Sequence, residues 1–207
     1  MSDIRLVLFI DWQNSYMTVR DAFSLRTTFH TNGQVDPWDL GLRIAGKHVE
    51  RVPRVLFQVR VYRGAPDPRK DSKGAAAQQR QAASWERRGA IVKRRALRYP
   101  SDWPASKAEE KGIDVQLAVD LVAGHLRSEF DVAVVLSRDT DLVPALELAC
   151  EIAKQQKVLL PEVASWARER GEGPRLRVKG LDLRCHWLTR ADYDAVKDNT
   201  DYNIRQN

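Results

Sequence analysis

Arg5-Leu-Val-Leu-Phe-Ile-Asp11 is an apolar run of branched and aromatic residues, opened by a cation and closed by an acid. A strand that is apolar at every position, rather than every second one, is buried on both faces, as in parallel sheets covered by helices. Val55 to Val61, Val132 to Ser137 and Val158 to Leu160 read the same way, with Ala90 to Lys93 as a weaker fifth strand. Segments of helical character separate them: Asn14 to Phe29, Pro37 to Val49, the Ala- and Gln-rich Gly74 to Arg88, and Ile113 to Leu126. Leu142, Ala145, Leu146, Ala149, Cys150 and Ala153 then recur on one face at a period of 3.6, behind an Asp139-Thr-Asp141 start. Pro144 is tolerated because it falls in the first turn. Strands alternating with helices predict an α/β fold, a mostly parallel sheet with helices on both faces.

A chain of 207 residues accommodates one full domain, here read as 1–190 followed by a polar C-terminal tail over 191–207. With 43% apolar and 30% charged residues, the chain can bury a core; disorder, collagen and disulfide-scaffold classes are excluded. Cys150 and Cys185 stand in no metal-binding or redox spacing and read as buried thiols. The sequence shows neither a signal-peptide pattern nor an apolar run long enough to span a bilayer, so a cytoplasmic protein without membrane contact is expected. The oligomeric state stays open, a homo-oligomer included.

The acids at the strand ends carry the chemistry. Ligands of open parallel sheets bind at the carboxyl ends of the strands, near the point where strand order reverses. Asp11 closes the first strand, and Asp139 and Asp141 follow the fourth. Asp114, in Lys111-Gly-Ile-Asp114, starts the helix leading into the fourth strand. If those two strands are neighbours, the acids approach one another. Clustered carboxylates repel and are costly to desolvate, and hard oxygen donors in an incomplete cage suit Mg²⁺ or Mn²⁺. Such an ion can hold a phosphodiester and activate water. Asp114, Asp139 and Asp141 can each also be read as helix-start residues, whereas an acid ending an apolar strand requires a partner. Asp120 lies six positions from Asp114, off its face of the helix, so a supporting role weighs equally with ligation. No nucleophile elbow, P-loop or dinucleotide-binding glycine turn is present.

Phe9-Ile-Asp11-Trp-Gln-Asn14, Lys111-Gly-Ile-Asp114-Val-Gln-Leu-Ala-Val-Asp120 and Leu136-Ser137-Arg-Asp139-Thr-Asp141-Leu-Val-Pro144 resemble, in order and spacing, the three motifs of NYN domains, the branch of PIN-like nucleases that includes LabA-like bacterial proteins. The resemblance covers about residues 4–160. It implies a Rossmann-like αβα sandwich and divalent-metal-dependent cleavage of RNA. By the same resemblance, Asp11, Asp114 and Asp139 form the metal site, Asp141 adds an acid, Asn14 supports Asp11, and Ser137 lines the site. Two positions depart from the pattern: Trp12 stands where a small residue is usual, and Arg138 where glycine is usual.

Charge distribution agrees with a nucleic-acid partner. The formal net charge is +6, yet residues 60–98 hold twelve basic and three acidic side chains, a local +9 that leaves −3 elsewhere. Phosphate neutralisation supplies most nucleic-acid affinity. Arg63, Arg69, Lys70 and Lys73 are expected on the rim beyond the second strand, Arg94, Arg95 and Arg98 along the third. Trp12, Lys111 and Arg138 are candidate contacts from the motifs, Lys111 reading equally well as a loop lysine. Trp38, Trp85, Trp166 and Trp187 read as packing residues, with Trp12 and Trp103 open. The expected activity is a metal-dependent ribonuclease. The alternatives are a non-catalytic RNA-binding module and, against the basic excess, a small-molecule phosphohydrolase. DNA remains open as a substrate, since no 2′-hydroxyl reader is identifiable.

Overall fold

The computed structural model describes residues 3–26, 28–47, 52–168 and 171–204. Six strands form one parallel sheet in the order β3-β2-β1-β4-β5-β6. They are β1 Ile4–Asp11, β2 Arg54–Ala65, β3 Ile91–Ala96, β4 Val132–Leu136, β5 Glu162–Trp166 and β6 Cys185–Leu188. The expected α/β architecture is therefore present, and the central pair is β1 with β4. Side chains alternate across β1 into two cores. Leu6, Leu8 and Ile10 pack on one face with Trp12, Val19, Leu40, Ile44 and Trp85. Val7 and Phe9 pack on the other with Leu117, Leu121, Leu146 and Cys150. That alternation into two apolar layers explains the unbroken hydrophobicity of Leu6 to Ile10.

Helices α1 Trp12–Ala22, α2 Pro37–Ala45, α3 Ser72–Arg87, α4 Ile113–Leu126, α5 Val143–Gln156 and α6 Arg190–Val196 flank the sheet. The first helix ends at Ala22, earlier than its expected end at Phe29, where Ser24 takes a positive φ. The second is seen to Ala45; the remainder of its expected span reaches residues 48–49, outside the described ones. On α5, Leu146, Ala149, Cys150 and Ala153 are buried as their spacing predicts, and Pro144 sits in the first turn. Cys150 is buried, Cys185 half-buried, and both are free thiols.

One expected strand is displaced. Val158 to Leu160 is not a strand: Lys157 adopts a left-handed conformation that ends α5, and Val158 is 45% exposed. The fifth strand is Glu162–Trp166, whose polar residues disguised it. Glu162 is buried at 6% exposure, where it accepts bidentate hydrogen bonds from Arg54 at 2.7 and 2.8 Å and lies 2.6 Å from His186 Nε2. Ser165 donates to the carbonyl of Pro174. The C-terminal segment is likewise more structured than its polarity suggests. Thr189 and Asp192 form a capping box for α6, and Asp192 is buried between Arg43 and Lys47. Beyond α6, Asp198 N donates to Gln34 O and Tyr202 O accepts from Arg80. No helix among the described residues is long and apolar enough to cross a membrane.

Burial disfavours the Glu162 carboxylate, yet its bonds from His186 and Arg54 outweigh that cost and hold its pKa down at about 2. A depressed folded pKa contributes stability above the ordinary glutamate range, lost as pH falls toward the folded value. Glu162→Gln should therefore lower stability at neutral pH by about 3–5 kcal/mol, because it removes the buried charge that accepts both bonds from Arg54. The variant should also lose less stability than wild type between about pH 4.5 and pH 2. Denaturant melts across that range measure both effects.

Candidate functional site

The acids identified in the sequence stand at the carboxyl end of the sheet, where β1 and β4 lie side by side. Asp11 is the last residue of β1 and the N-cap of α1, which explains why a polar residue can close so apolar a strand. Its Oδ1 accepts from Asn14 N at 3.2 Å, and its Oδ2 accepts from Ser137 Oγ at 2.8 Å. Ser137 Oγ in turn accepts from Asp139 N at 3.0 Å, so a single hydroxyl ties the end of β1 to the chain leaving β4. Asn14 Oδ1 accepts from Arg138 N at 3.0 Å, a second tie across the same gap. Asp139 caps the 3-10 turn Thr140–Leu142 through Asp141 N. Asp114 lies in the first turn of α4, where the helix dipole favours a negative charge. Gly112 precedes it at φ 72°, a conformation that glycine adopts at little cost.

Asp11, Asn14, Asp114 and Asp139 line one cavity of about 610 Å³, together with Glu110 and Lys111. Glu110 had no periodicity or motif spacing to mark it in the sequence; its position directly before Lys111-Gly112 was the available signal. Its Oε1 accepts from Gly64 N at 2.6 Å. A Cβ at position 64 would stand only 2.8 Å from Glu110 Cγ and 2.3 Å from Leu97 Cδ2, so glycine is what lets the carboxylate approach β2. Asp141 is exposed and is not among the cavity-lining residues. Its backbone N–H donates to Asp139 Oδ1 at 3.0 Å. Asp120 accepts from Tyr62 Oη at 2.9 Å and from Gln116 Nε2, a supporting position consistent with its angle on α4.

The cluster is electrostatically strained. Burial lifts Asp11 to a pKa of about 6, against the hydrogen bonds from Ser137 and Asn14, and the charges of Glu110 and Asp139 push the same way. Burial also raises Glu110, with Asp114 adding repulsion. Among the described residues, none of Asp11, Asp114 and Asp139 is in an ion pair, and no three Asp, Glu, His or Cys side chains converge closely enough to hold a metal ion as they stand. The donor set nevertheless fits a hard divalent cation by chemistry: several carboxylate oxygens, no sulfur, no imidazole, and a buried acid that lacks a counter-charge.

The expected basic rim divides into exposed and structural residues. Arg69, Lys70, Lys73, Arg94, Arg95 and Arg98 are exposed. Arg69 pairs with Asp67, Lys70 lies over the Tyr99 ring, and Arg95 reaches Gln116. Arg63, by contrast, is 9% exposed, its guanidinium 5.6 Å from the Trp12 ring centre and 5.3 Å from that of Trp85; the pleat of β2 turns it inward, so it is no rim residue. Trp12 is also inward, 7% exposed and 4.3 Å from Trp85 between ring centres, because the first turn of α1 faces the sheet. Arg138 is half-buried and points toward Asp21 rather than into the acidic cavity. The two departures from the family pattern therefore leave that cavity open. Trp103 packs edge-on against Tyr99.

Three motif segments ending at one cavity, on a six-stranded parallel sheet, are matched by the family model of the NYN domain over residues 5–169. The chain belongs to the NYN domain family. NYN domains are PIN-like, which assigns the protein to a superfamily of nucleases. Among solved structures, a protein of unknown function from Vibrio parahaemolyticus is similar, at 16% identity over 94% of this chain and 90% of that one, with a TM-score of 0.44. No curated protein matches the chain.

A raised Asp11 pKa fixes the sign of a pH effect in metal-free NYN protein. A group whose folded pKa lies above its unfolded value contributes stability that is present below the ordinary carboxylate range and is lost as pH rises through about 6. Asp11→Asn, neutral throughout, should stabilise the chelator-treated protein by about 1–3 kcal/mol at about pH 8 and by much less at about pH 4. Equal effects at the two pH values would contradict a raised pKa at Asp11.

Proposed function

We propose that this NYN domain is a divalent-metal-dependent ribonuclease acting at the cavity between β1 and β4. The observation that carries this reading is a buried, unpaired Asp11 sharing one cavity with Glu110, Asp114 and Asp139 at the reversal point of a parallel sheet. Asp11, Asp114 and Asp139 would hold Mg²⁺ or Mn²⁺, with Glu110 joining them. Bound there, the ion supplies a Lewis acid for the phosphodiester and lowers the pKa of an attacking water. Asp11, Asp114, Asp139 and Glu110 already surround one space, where a cation would offset the cost of their burial and mutual repulsion.

The remaining roles follow from position. Ser137 and Asn14 orient Asp11 and the chain around Asp139, as supporting hydrogen bonds do at metal sites. Lys111 stands at the cavity wall, where its ammonium can meet a phosphate oxygen. Asp141 is kept as a candidate for orienting water at the outer edge. Arg69, Lys70, Lys73, Arg94, Arg95 and Arg98 supply the phosphate-binding rim for RNA. The rival reading, RNA binding without cleavage, loses one support now that Trp12 and Arg138 are found outside the acidic cavity.

Purified protein should cleave single-stranded or structured RNA with Mg²⁺ or Mn²⁺ and cease with a chelator. The double substitution Asp11→Asn with Asp139→Asn should reduce cleavage by at least about 100-fold, while RNA binding at low salt persists. Intact RNA under all metal conditions, or cleavage unaffected by the double substitution, would overturn the reading.

A further inference from the structure

A second cavity of about 410 Å³ adjoins the acidic one, sharing Gln13, Met17, Ala108 and Glu110 with it. Its chemistry is different. Trp12 and Tyr16, stacked with ring centres 6.5 Å apart, form an aromatic wall, and Gln34, Gln78 and Gln81 supply carboxamides. Arg63 also lines it. This guanidinium is buried; among the described residues no carboxylate lies within ion-pair distance of it, although Glu110 on the shared wall attracts it from further off. Burial lowers its pKa to about 10, leaving it charged at neutral pH. Nη1 donates to Gln81 Oε1 at 2.7 Å, but Nε has no hydrogen-bond partner.

A buried cation with an idle donor is costly unless something completes it. Its surroundings are held ready: Gln81 Nε2 donates to Gln34 Oε1 at 2.6 Å, and Gln34 Nε2 donates to the carbonyl of Thr200. The C-terminal segment at Thr200 thus fixes the carboxamides that fix Arg63. An aromatic wall, a few preset polar groups and one buried cation suit a flat heteroaromatic ring bearing hydrogen-bond acceptors. A bare phosphate is better served by the exposed cations of the rim, free of indole rings.

We infer that this second cavity is a subsite for one unpaired RNA base, flanking the phosphodiester held at the acidic cavity and read by Arg63. The inference rests on the ribonuclease reading for its substrate. Single-stranded recognition ordinarily places bases against aromatic side chains and reads their polar edges. Here the shared wall of Gln13, Met17, Ala108 and Glu110 makes the base that enters an immediate neighbour of the bond to be cut. Arg63 would act as a specificity residue, donating to a ring nitrogen or carbonyl oxygen of that base.

The test is an abasic scan. Short single-stranded RNAs, each with one base removed and its phosphate kept, are titrated against the full chain by fluorescence anisotropy, with Ca²⁺ replacing Mg²⁺ to keep the strand intact. Binding should weaken about tenfold at one position and by little elsewhere. Gln78→Trp, which fills the cavity from α3, and Arg63→Met should each bind intact RNA as weakly as wild type binds that abasic strand, and should lose the positional penalty. Gln78→Trp keeps the test informative if removal of the buried arginine impairs folding. A flat scan on a strand that is bound, and cut in Mg²⁺, overturns the subsite alone. A positional penalty that survives Gln78→Trp also overturns it, as does sensitivity to Arg63→Met without sensitivity to base removal, which would mean a phosphate contact. Failure to bind any RNA overturns the subsite and the ribonuclease reading together.

Discussion

The parallel pairing of β1 with β4 is the constraint on which the functional end of this protein depends. Right-handed crossovers leave these neighbouring strands in opposite directions across the sheet, since β2 and β3 lie to one side and β5 and β6 to the other. A crevice must open at their carboxyl ends, and whatever residues terminate the two strands face it. Ser137 then sets the width of that crevice. Its hydroxyl donates to Asp11 and accepts from the backbone of Asp139, so the two motif segments cannot separate without breaking a buried bond. Asn14 repeats the tie one residue further along. Both polar links are neutral, which holds the acids near one another without discharging them.

Much of this was legible in the sequence, for a definite reason. Strands buried on both faces by helices leave an unbroken apolar signature, and β1 and β4 carry it, whereas β2 carries it only in part because Val55 and Phe57 are exposed and Gln58 and Arg60 interrupt it; helices with one covered face leave a 3.6 period, and α5 carries that. The acids were legible because an acid ending an apolar strand has no cheap explanation. What escaped was polarity satisfied over long range. Glu162 and Ser165 concealed β5 because their partners, Arg54, His186 and Pro174, lie far away in sequence or beyond a turn. Asp192 concealed the packing of α6 in the same way. Glu110 was missed because a loop residue acquires meaning only from the space it faces, here a gap left by Gly64.

Charge counts carry a related lesson. The +9 segment invites a reading as one continuous phosphate surface, but several of its cations are engaged by groups of the chain itself. Arg60 pairs with Glu129 over the rings of Phe9 and Phe130, Arg80 binds the carbonyl of Tyr202, and Arg88 bridges to Asp36 and Asp39. Arg63 lies inward against the indoles of Trp12 and Trp85. A guanidinium can serve in any of these ways because its planar, weakly hydrated head tolerates aromatic faces and forks onto oxygen. The surviving rim is narrower than the count implies, and it is concentrated beyond β2 and along β3, the edge of the sheet.

Both ends of the sheet are charged, but only one is balanced. At the amino ends of the strands, Arg5 meets Asp131 and Arg54 meets Glu162, which also engages His186. Each buried acid there has a cation, and Glu162 is correspondingly held in its charged form. At the carboxyl ends, Asp11 and Glu110 are pushed toward the neutral form by burial and by neighbouring acids, and Arg63, though attracted by Glu110, makes no ion pair among the described residues. The same chain thus ion-pairs its charges at the amino ends of the strands and leaves those of two adjoining cavities at the carboxyl ends only partly compensated. Stability alone gives no reason to maintain that asymmetry, because replacing unpaired buried charges by apolar residues is generally neutral or favourable. A ligand that brings positive charge to the acids and hydrogen-bond acceptors to the arginine would satisfy both, and a metal ion with a bound RNA strand has that composition.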